Sequence, residues 1–250
     1  MFVAKTEKIE KLSKIFPLRI KELEEIFGKK TNVYIDYANV YFWSKKLNWH
    51  IDIKRLKQFL DSFDTIKKIK LYNGTLLRDK QSSDFIKDAK SLHYEVITKP
   101  VKIMHRSIDV SSIPANSPLI LADFIDRALL KQLNLETIEY LNLKIKELND
   151  RGIKSIERRK CNFDVEIGRD IFLDFERNGI ENFILWSGDS DFADPVTQLL
   201  NDKRKVAVFA TARRVSVELA DTKVPIFDIQ KIRNFICRNN QIQEEIKKKL

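Results

Sequence analysis

The sequence predicts a three-layer α/β/α fold with a central, mainly parallel sheet, preceded by a helical extension and interrupted by a helical insertion. Short β-rich segments alternate with amphipathic segments of helical period, which is typical of parallel βαβ units with right-handed crossovers. The 250 residues are 43% hydrophobic, enough to bury a full core. We therefore expect an N-terminal extension at 1–30, a main domain at 31–235 with an insertion at 106–158, and a charged C-terminal helix or tail at 236–250.

The first part of the chain supplies the extension and the first three predicted strands. Apolar residues at helical intervals predict helices from 4 to 28, broken near Pro17 and ending at Gly28. Proline has no backbone N–H, so the strand that contains Pro100 should end there or lie at the edge of the sheet. The elements predicted after the extension are strand 31–36, helix 52–63, strand 66–75, helix 82–92 and strand 93–104.

The alternation stops at about residue 106 and resumes at about residue 158. Residues 107–118 have the composition of a loop, and the pattern at 123–152 predicts one or two amphipathic helices ending at Gly152. We expect at least one of these helices to bury its apolar face against the core or against a second copy of the chain. The elements predicted after the insertion are helix 161–179, strand 182–188, helix 194–203, strand 205–210, helix 213–222, strand 224–229 and a solvated helix at 239–250.

Composition narrows the class of protein. The 46 Lys and Arg residues outnumber the 36 Asp and Glu residues, and the resulting net charge of +10 favours a polyanionic partner. Cys161 and Cys237 lie far apart, so neither a disulfide framework nor a zinc cluster is indicated, and a cytoplasmic location is expected. No signal-peptide core and no membrane-spanning stretch is recognisable. A Walker phosphate loop and a nucleotide-binding glycine fingerprint are also absent from the sequence, which argues against an ATPase or a dehydrogenase.

Carboxylates follow two of the predicted strands at the point where each strand ends. Asp36 closes the first strand, and Asp189 and Asp191 follow the strand that begins near 182. Ligands of open α/β sheets bind beyond the carboxyl ends of the strands, so these acids should face one crevice if the two strands are neighbours. Asp164, at a predicted helix start, would join them. Several carboxylates from separate segments are what Mg²⁺ or Mn²⁺ requires.

Each acid also has a structural interpretation that the sequence leaves open. Asp191 or Asp194 could cap the following helix, and Asp36 could be a turn residue that binds its own backbone. Asp164 could belong to a solvated helical face, because Glu166, Asp170 and Asp174 lie on the same predicted helix.

Three blocks of sequence resemble the NYN domain family, the LabA-like branch of the PIN-like nuclease superfamily. They are "VYIDYANV", "KCNFDVEIGRD" and "ILWSGDSDFADPVTQLL", followed by "KVAVFATARRVSVELADTKVPIFDI". The resemblance covers about 31–105 and 158–230. It implies a PIN-like fold and a metal-dependent nuclease, with four acids as catalytic and metal-binding residues and Asn39 as a supporting polar residue. The acids are Asp36, Asp164, Asp189 and Asp191. We also predict supporting roles for Asp170, Asp194 and Ser187.

The function predicted is Mg²⁺- or Mn²⁺-dependent hydrolysis of phosphodiester bonds, with RNA as substrate and an endoribonuclease as the first choice. Two alternatives remain: an inactive RNA-binding or protein-interaction module of the same fold, and a hydrolase of small phosphate esters. Basic side chains could hold the phosphate backbone and aromatic rings could stack on bases, although an exposed helix start or core packing would explain them equally well. The candidates are Lys160, Arg213, Arg214, Tyr37 and Trp43, with Trp186 a further aromatic.

Overall fold

The computed structural model describes residues 1–211 and 215–250, and these residues form two compact units. The larger unit comprises Met1–Pro100 and Cys161–Leu250, and the smaller unit comprises Val101–Lys160. The strands in chain order are β1 (Thr31–Asp36), β2 (Ile66–Thr75), β3 (Glu95–Pro100), β4 (Lys102–Ser107), β5 (Ser155–Lys160), β6 (Asn182–Trp186), β7 (Lys205–Ala210) and β8 (Ile226–Asp228).

The α-helices complete the α/β alternation of the larger unit and make up the body of the smaller one. In chain order they are α1 (Glu7–Ile15), α2 (Pro17–Ile26), α3 (Tyr37–Leu47), α4 (Ile53–Leu60), α5 (Lys80–Ser91), α6 (Arg127–Leu130), α7 (Leu135–Asp150), α8 (Asp164–Arg177), α9 (Ala193–Asn201), α10 (Val217–Asp221), α11 (Arg233–Ile236) and α12 (Glu244–Lys247). Among the described residues no helix is both long enough and apolar enough to cross a bilayer.

Six strands of the larger unit form one sheet in the order β3-β2-β1-β6-β7-β8, and every pairing in it is parallel. Helices flank the sheet, so the predicted three-layer α/β/α fold is confirmed. All residues of β1 and β6 are buried, as expected for central strands of a covered parallel sheet. Because β1 and β6 are neighbours, the acids that follow them come to the same edge of the sheet.

Helix α8 is held on the sheet by apolar contacts of Ile167 and Ile171 and also by a set of polar contacts. Side chains alternate along a strand, so Asn32 and Tyr34 of β1 point to the same face. Both donate to the carboxylate of Asp174, at 2.8 and 2.6 Å, and Lys70 Nζ of β2 lies 3.0 Å from it. These contacts fix the position of a helix whose first residue is Asp164.

Several helical predictions need correction. Helix α3 was not predicted, because its sequence "YANVYFWSKKL" is rich in aromatic and β-branched residues that also suit strands. The C-terminal helix is limited to the four residues of α12, and the helix expected at 213–222 begins at Val217. The break before Pro17 and the position of β3 at the sheet edge, ending at Pro100, agree with the sequence.

The smaller unit contains a two-stranded ribbon that the sequence did not predict, although the strand expected at 93–104 included the first residues of β4 and is in fact divided between β3 and β4. Strands β4 and β5 pair with each other in antiparallel register and form a two-stranded ribbon. Helix α7 ends before Gly152, whose φ of +86° suits the residue after a helix. A small apolar core lies beneath the helices and is formed by Leu121, Leu130 and Ile138. Helix α7 also reaches the ribbon, since Asn149 Nδ2 donates to backbone carbonyls at both strand ends.

Candidate metal centre

Three of the predicted acids come together beyond the carboxyl end of the central strands. Asp164, Asp189 and Asp191 each offer a carboxylate oxygen, and these oxygens all lie within 4.8 Å of one another. Asp164 is the first residue of α8, whereas Asp189 and Asp191 belong to the turn between β6 and α9. Asp164 and Asp189 are partly buried and Asp191 is exposed, so the cluster is open to solvent on one side.

Asp36 lies beside this cluster and is tied to it through Ser187. The Ser187 hydroxyl donates to Asp36 Oδ2 at 3.3 Å, and Ser187 Oγ accepts from the backbone N–H of Asp189 at 3.3 Å. Asp36 Oδ1 accepts from the backbone N–H of Asn39 at 3.3 Å, which makes Asp36 the N-cap of α3. The turn-residue interpretation of Asp36 is therefore correct as local structure, and it fixes the direction in which the second carboxylate oxygen points.

The electrostatics of the four acids reflect burial and mutual repulsion. Burial raises the pKa of Asp36 to about 6, and the negative charges of Asp164 and Asp189 add to the increase, while the bonds from Asn39 and Ser187 oppose it. Burial also raises the pKa of Asp164. A hydrogen bond from Asn162 opposes that rise, and the charges of Asp191 and Asp189 reinforce it. Placing several carboxylates together therefore has a cost in the protein alone.

No protein cation offsets that cost among residues 1–211 and 215–250. Every ion pair of an aspartate from α8 in this range involves Asp170 or Asp174, and no Lys or Arg pairs with the clustered acids. The donors are all carboxylate oxygens, which hard divalent cations prefer. The three oxygens lie within 4.8 Å of one another, close to the separation of about 4.2 Å that two ligands on opposite sides of an ion with bonds of 2.0–2.1 Å would have. The residues thus fit Mg²⁺ or Mn²⁺.

The helix cap near the cluster differs from the one that the sequence suggested. Asp189 Oδ1 accepts from the backbone N–H of Asp191 at 3.3 Å and caps a short 3₁₀ helix at Ser190–Phe192. Helix α9 then starts at Ala193, so Asp194 lies inside its first turn rather than at its cap. Asp194 is exposed and is not part of the cluster. Among residues 1–211 and 215–250 no hydrogen bond or ion pair links Asp194 to the cluster, because the 3₁₀ turn starts the helical structure earlier than Pro195 indicated.

Asp170 also lies outside the cluster. Its carboxylate accepts from Tyr72 Oη at 2.8 Å and from Arg169, and it belongs to the polar network that holds α8 on the sheet. Any support that Asp170 gives to the cluster is through the position of α8, since Asp164 begins the same helix.

Asn39 and Trp43 form a pair that the sequence did not predict. The indole N–H of Trp43 donates to Asn39 Oδ1 at 2.9 Å, which leaves the amide NH₂ of Asn39 as its donor toward the crevice. The two residues are four positions apart on α3, a spacing that places them on one helix face and could have revealed the contact once the helix was recognised. Trp43 is only 2% exposed, so its ring packs in the core and the predicted base-stacking role is wrong.

The other predicted nucleic-acid contacts are distributed as follows. Tyr37 stacks on Phe85 with ring centroids 4.4 Å apart and packs against the core, and Trp186 is fully buried. Trp186 therefore offers no face to a base, whereas Tyr37 is only half-buried and its predicted contact with RNA stays a prediction. Lys160 ends β5 in the smaller unit and is exposed. Arg213 and Arg214 lie outside the described residues.

A pocket of about 430 Å³ adjoins the cluster and includes an aromatic residue that sequence reasoning missed. It is lined by Asn39, Phe42, Gly188, Asp189 and Ser190, among others. The ring of Phe42 is 53% exposed, and Lys45 Nζ lies 5.3 Å from its centroid. Phe42 thus offers the accessible aromatic surface that Trp43 does not. Exposure along α3 follows a helical period, with Val40 and Trp43 buried and Phe42 exposed, so Phe42 could be found from the sequence only once that helix was recognised.

Comparison with known proteins gives a family match and one structural match. Residues 123–229 match the model of the NYN domain, which belongs to the PIN-like nuclease superfamily. The matched segment contains Asp164, Asp189 and Asp191, whereas Asp36 precedes it. No curated protein matches the chain.

The fold is similar to the crystal structure of a protein of unknown function from Vibrio parahaemolyticus. The two chains are 17% identical, and the superposition covers 84% of this chain and 96% of the other with a TM-score of 0.50. At this level of identity the similarity concerns the fold.

Proposed function

We propose that this chain is a divalent-metal-dependent ribonuclease that cleaves RNA internally, because residues 123–229 match the NYN domain, a family within the PIN-like nuclease superfamily. The observation that carries the proposal is the cluster of Asp164, Asp189 and Asp191 without a cationic partner in the described part of the chain. A structural role would be expected to pair these carboxylates, because unpaired like charges destabilise a fold.

The chain's own residues have separable tasks in this proposal. Asp164, Asp189 and Asp191 hold the cation. Asp36 adds a fourth negative charge at the crevice, and hydrogen bonds from Asn39 and Ser187 fix its orientation. When bound, Mg²⁺ or Mn²⁺ supplies Lewis acidity that activates water and stabilises charge on the phosphodiester. The amide of Asn39, oriented by Trp43, is placed to donate to a substrate oxygen in the adjoining pocket. The open side at Asp191 admits the backbone of a polymer.

The decisive experiment is RNA cleavage by the purified full-length protein with Mn²⁺, with Mg²⁺ and with chelator. Asp189→Asn keeps the side-chain shape but removes a charged ligand, and we expect kcat/KM to fall by at least about 100-fold, the upper end of what losing a single supporting contact costs at a metal site. Asp202→Asn is the matched control, because Asp202 is an exposed carboxylate that ends α9 away from the cluster. Equal activity of Asp189→Asn and wild type would refute the proposal.

A substrate without ends is needed to test whether the protein cleaves RNA internally. A circular RNA is cut only by internal hydrolysis, so its linearisation in Mn²⁺ by wild type, and not by Asp189→Asn, is the expected result. A protein that degrades linear RNA but leaves the circle intact would instead be an exonuclease.

The two alternative functions predict different results in the same assays. A non-catalytic module binds RNA equally well in chelator and never cleaves it. A small-ester hydrolase turns over a chromogenic phosphate ester and leaves RNA intact.

A further inference from the structure

The β4–β5 ribbon of the smaller unit carries a concentration of positive charge that the metal centre does not use. Five of its twelve residues are Lys or Arg and only Glu157 is acidic. Every residue of β5 is exposed. We propose that one face of this ribbon is an RNA-binding surface that contacts the sugar-phosphate backbone. The choice of RNA as the polyanion rests on the proposed function.

The register of the ribbon divides its charges between two faces. Lys102 pairs with Lys160 and Met104 pairs with Arg158, so these four residues lie on one face together with Arg106. The opposite face carries Arg159, with Glu157 two positions away on the same side. The first face is therefore uniformly basic, and on the second face the single arginine has a neighbouring acid.

The basic face has few internal partners for its charges. Arg106 Nη1 donates to the backbone carbonyl of Asp123 and lies 3.8 Å from its carboxylate. Within residues 1–211 and 215–250, Lys102, Arg158 and Lys160 form no ion pair. We call Lys102, Arg158 and Lys160 the ribbon triad. Cross-strand pairs lie about 5 Å apart and alternate residues about 6.7 Å apart, so the triad is a compact set of three cations.

Such an arrangement costs stability when the protein is alone. Like charges directly opposite each other destabilise a pair of strands, and Lys102 opposite Lys160 is such a pair. An isolated two-stranded ribbon is also marginal, and this one relies on Asn149 of α7 to hold its base. A polyanion that places phosphates against the triad removes the repulsion and releases condensed counterions, which favours binding.

A protein partner, whether acidic or neutral, fits this surface less well than RNA does. The triad offers three long, exposed cations and, beside them, only Met104 and Ile156 as apolar side chains on that face. Protein interfaces depend on a desolvated apolar or aromatic centre, whereas nucleic-acid contacts depend on Lys and Arg against phosphates.

The test uses the full-length protein and a 5′-fluorescein-labelled 20-nucleotide oligouridylate, with binding followed by fluorescence anisotropy in chelator so that no cleavage occurs. The matched variants are Arg158→Gln, on the basic face, and Arg159→Gln, on the opposite face of the same strand. Each removes one charge from an exposed position. At about 0.1 M salt, loss of one single-strand phosphate contact should weaken binding roughly 5-fold, and Arg158→Gln/Lys160→Gln should weaken it roughly 25-fold.

The salt dependence gives a second readout. The slope of log K against log salt should become shallower by about 0.7 for Arg158→Gln and about 1.4 for the double variant, with little change for Arg159→Gln. Arg158→Lys keeps the charge and should retain most of the affinity. Equal weakening by Arg158→Gln and Arg159→Gln would overturn the assignment to one face, and unchanged binding by the double variant would overturn the surface altogether.

Failure of this proposal can be told apart from failure of the proposed function. If wild type binds RNA through the triad in chelator but cleaves none in Mn²⁺, the surface stands and the ribonuclease proposal falls. If wild type cleaves RNA and the double variant does so with unchanged KM, the ribonuclease proposal stands and the surface falls. The supporting result is a raised KM with unchanged kcat. Circular dichroism melts of all variants verify that the ribbon unit remains folded.

Discussion

Helix α8 carries two groups of aspartates that the protein treats in opposite ways. At its start, Asp164 meets Asp189 and Asp191 with no cation among the described residues. Two to three turns later, Asp174 receives hydrogen bonds from Tyr34 and Asn32 and an ion pair from Lys70. The same residue type on the same helix is thus fully compensated at one end and uncompensated at the other.

The pKa shifts record this difference. Burial works to raise the pKa of Asp174, but hydrogen bonds from Tyr34, Lys70, Asn178 and Asn32 outweigh it, and the pKa is lowered. At the other end, the pKa of Asp164 is raised by burial and by its acidic neighbours despite the bond from Asn162. An acid that the fold needs is supplied with donors by the fold. An acid placed beside like charges without a cation is a candidate for binding a ligand.

The largest expected effect on stability comes from removing Lys70, the cation that pairs with Asp174. Lys70→Met leaves the carboxylate of Asp174, which is 1% exposed, without its cation. Removing one partner of a buried ion pair costs about 3–5 kcal/mol, so urea unfolding should show a loss of that size. Lys68→Met, on the same strand with an exposed lysine that pairs with Glu95 at the surface, should cost less than about 1 kcal/mol. Similar losses for both variants would contradict the comparison.

The opposite result is expected for Asp36, which lies beside the cluster and whose pKa is raised despite its hydrogen bonds from Asn39 and Ser187. The pKa of Asp36 in the folded protein, about 6, exceeds its ordinary value of 3.8, so the folded state binds more protons between these pH values and stability falls as the pH rises from 4 to 6. Asp36→Asn does not titrate. In metal-free protein the variant should be more stable than wild type by up to about 3 kcal/mol at pH 7.5, with the difference disappearing near pH 4. A variant that is destabilised at pH 7.5 would show that Asp36 is a structural acid.

A bound metal ion should offset the repulsion among the clustered carboxylates, as Lys70 offsets the negative charge of Asp174. A cation at 100 times its dissociation constant stabilises the folded state by about 2.7 kcal/mol, which raises the Tm of a chain of this size by roughly 5–11 °C. We expect Mn²⁺ to produce this increase in wild type and in Asp202→Asn but not in Asp189→Asn. Metal-free Asp189→Asn should be at least as stable as metal-free wild type, because a repulsive charge is gone. Thermal melts with and without Mn²⁺ measure both effects.

The smallest expected effect comes from removing one of several donors in the compensated group. Tyr72→Phe takes a hydrogen bond from Asp170, which keeps Arg169 and has Lys70 within 3.8 Å. The loss should be about 1–2 kcal/mol in urea unfolding, with unchanged RNA cleavage. A loss of cleavage without a loss of stability would instead place Asp170 in the chemistry.

The sequence predicted the sheet and the meeting of the acids because both depend on local patterns. The alternation of β-rich segments with amphipathic segments indicated the strands. Because the carboxyl ends of parallel strands lie at one edge of the sheet, Asp36 was expected to lie near Asp189 and Asp191. Helix α3 was missed because its aromatic residues suit either structure, and with it the exposed ring of Phe42 and the contact between Asn39 and Trp43.

The ribbon was missed for a different reason. Its strands pair across about fifty residues, and "SIERRK" has no apolar alternation, since both of its faces meet solvent. Solvent-exposed pairing leaves no trace in a hydrophobic pattern. The cap at Asp189 was missed because a single 3₁₀ turn has no period of its own.

The pairing of β1 with β6 also affects when the fold can form during synthesis. Asp36 and Ser187, which this pairing joins, are 151 positions apart in the chain. Contacts of such sequence separation form late, because a long loop must close first. During synthesis at 5–20 residues per second, roughly 8 to 30 s pass between the appearance of Asp36 and that of Asp191. Throughout that interval one edge of β1 lacks its partner strand β6, and the acids of the crevice have not yet been brought together.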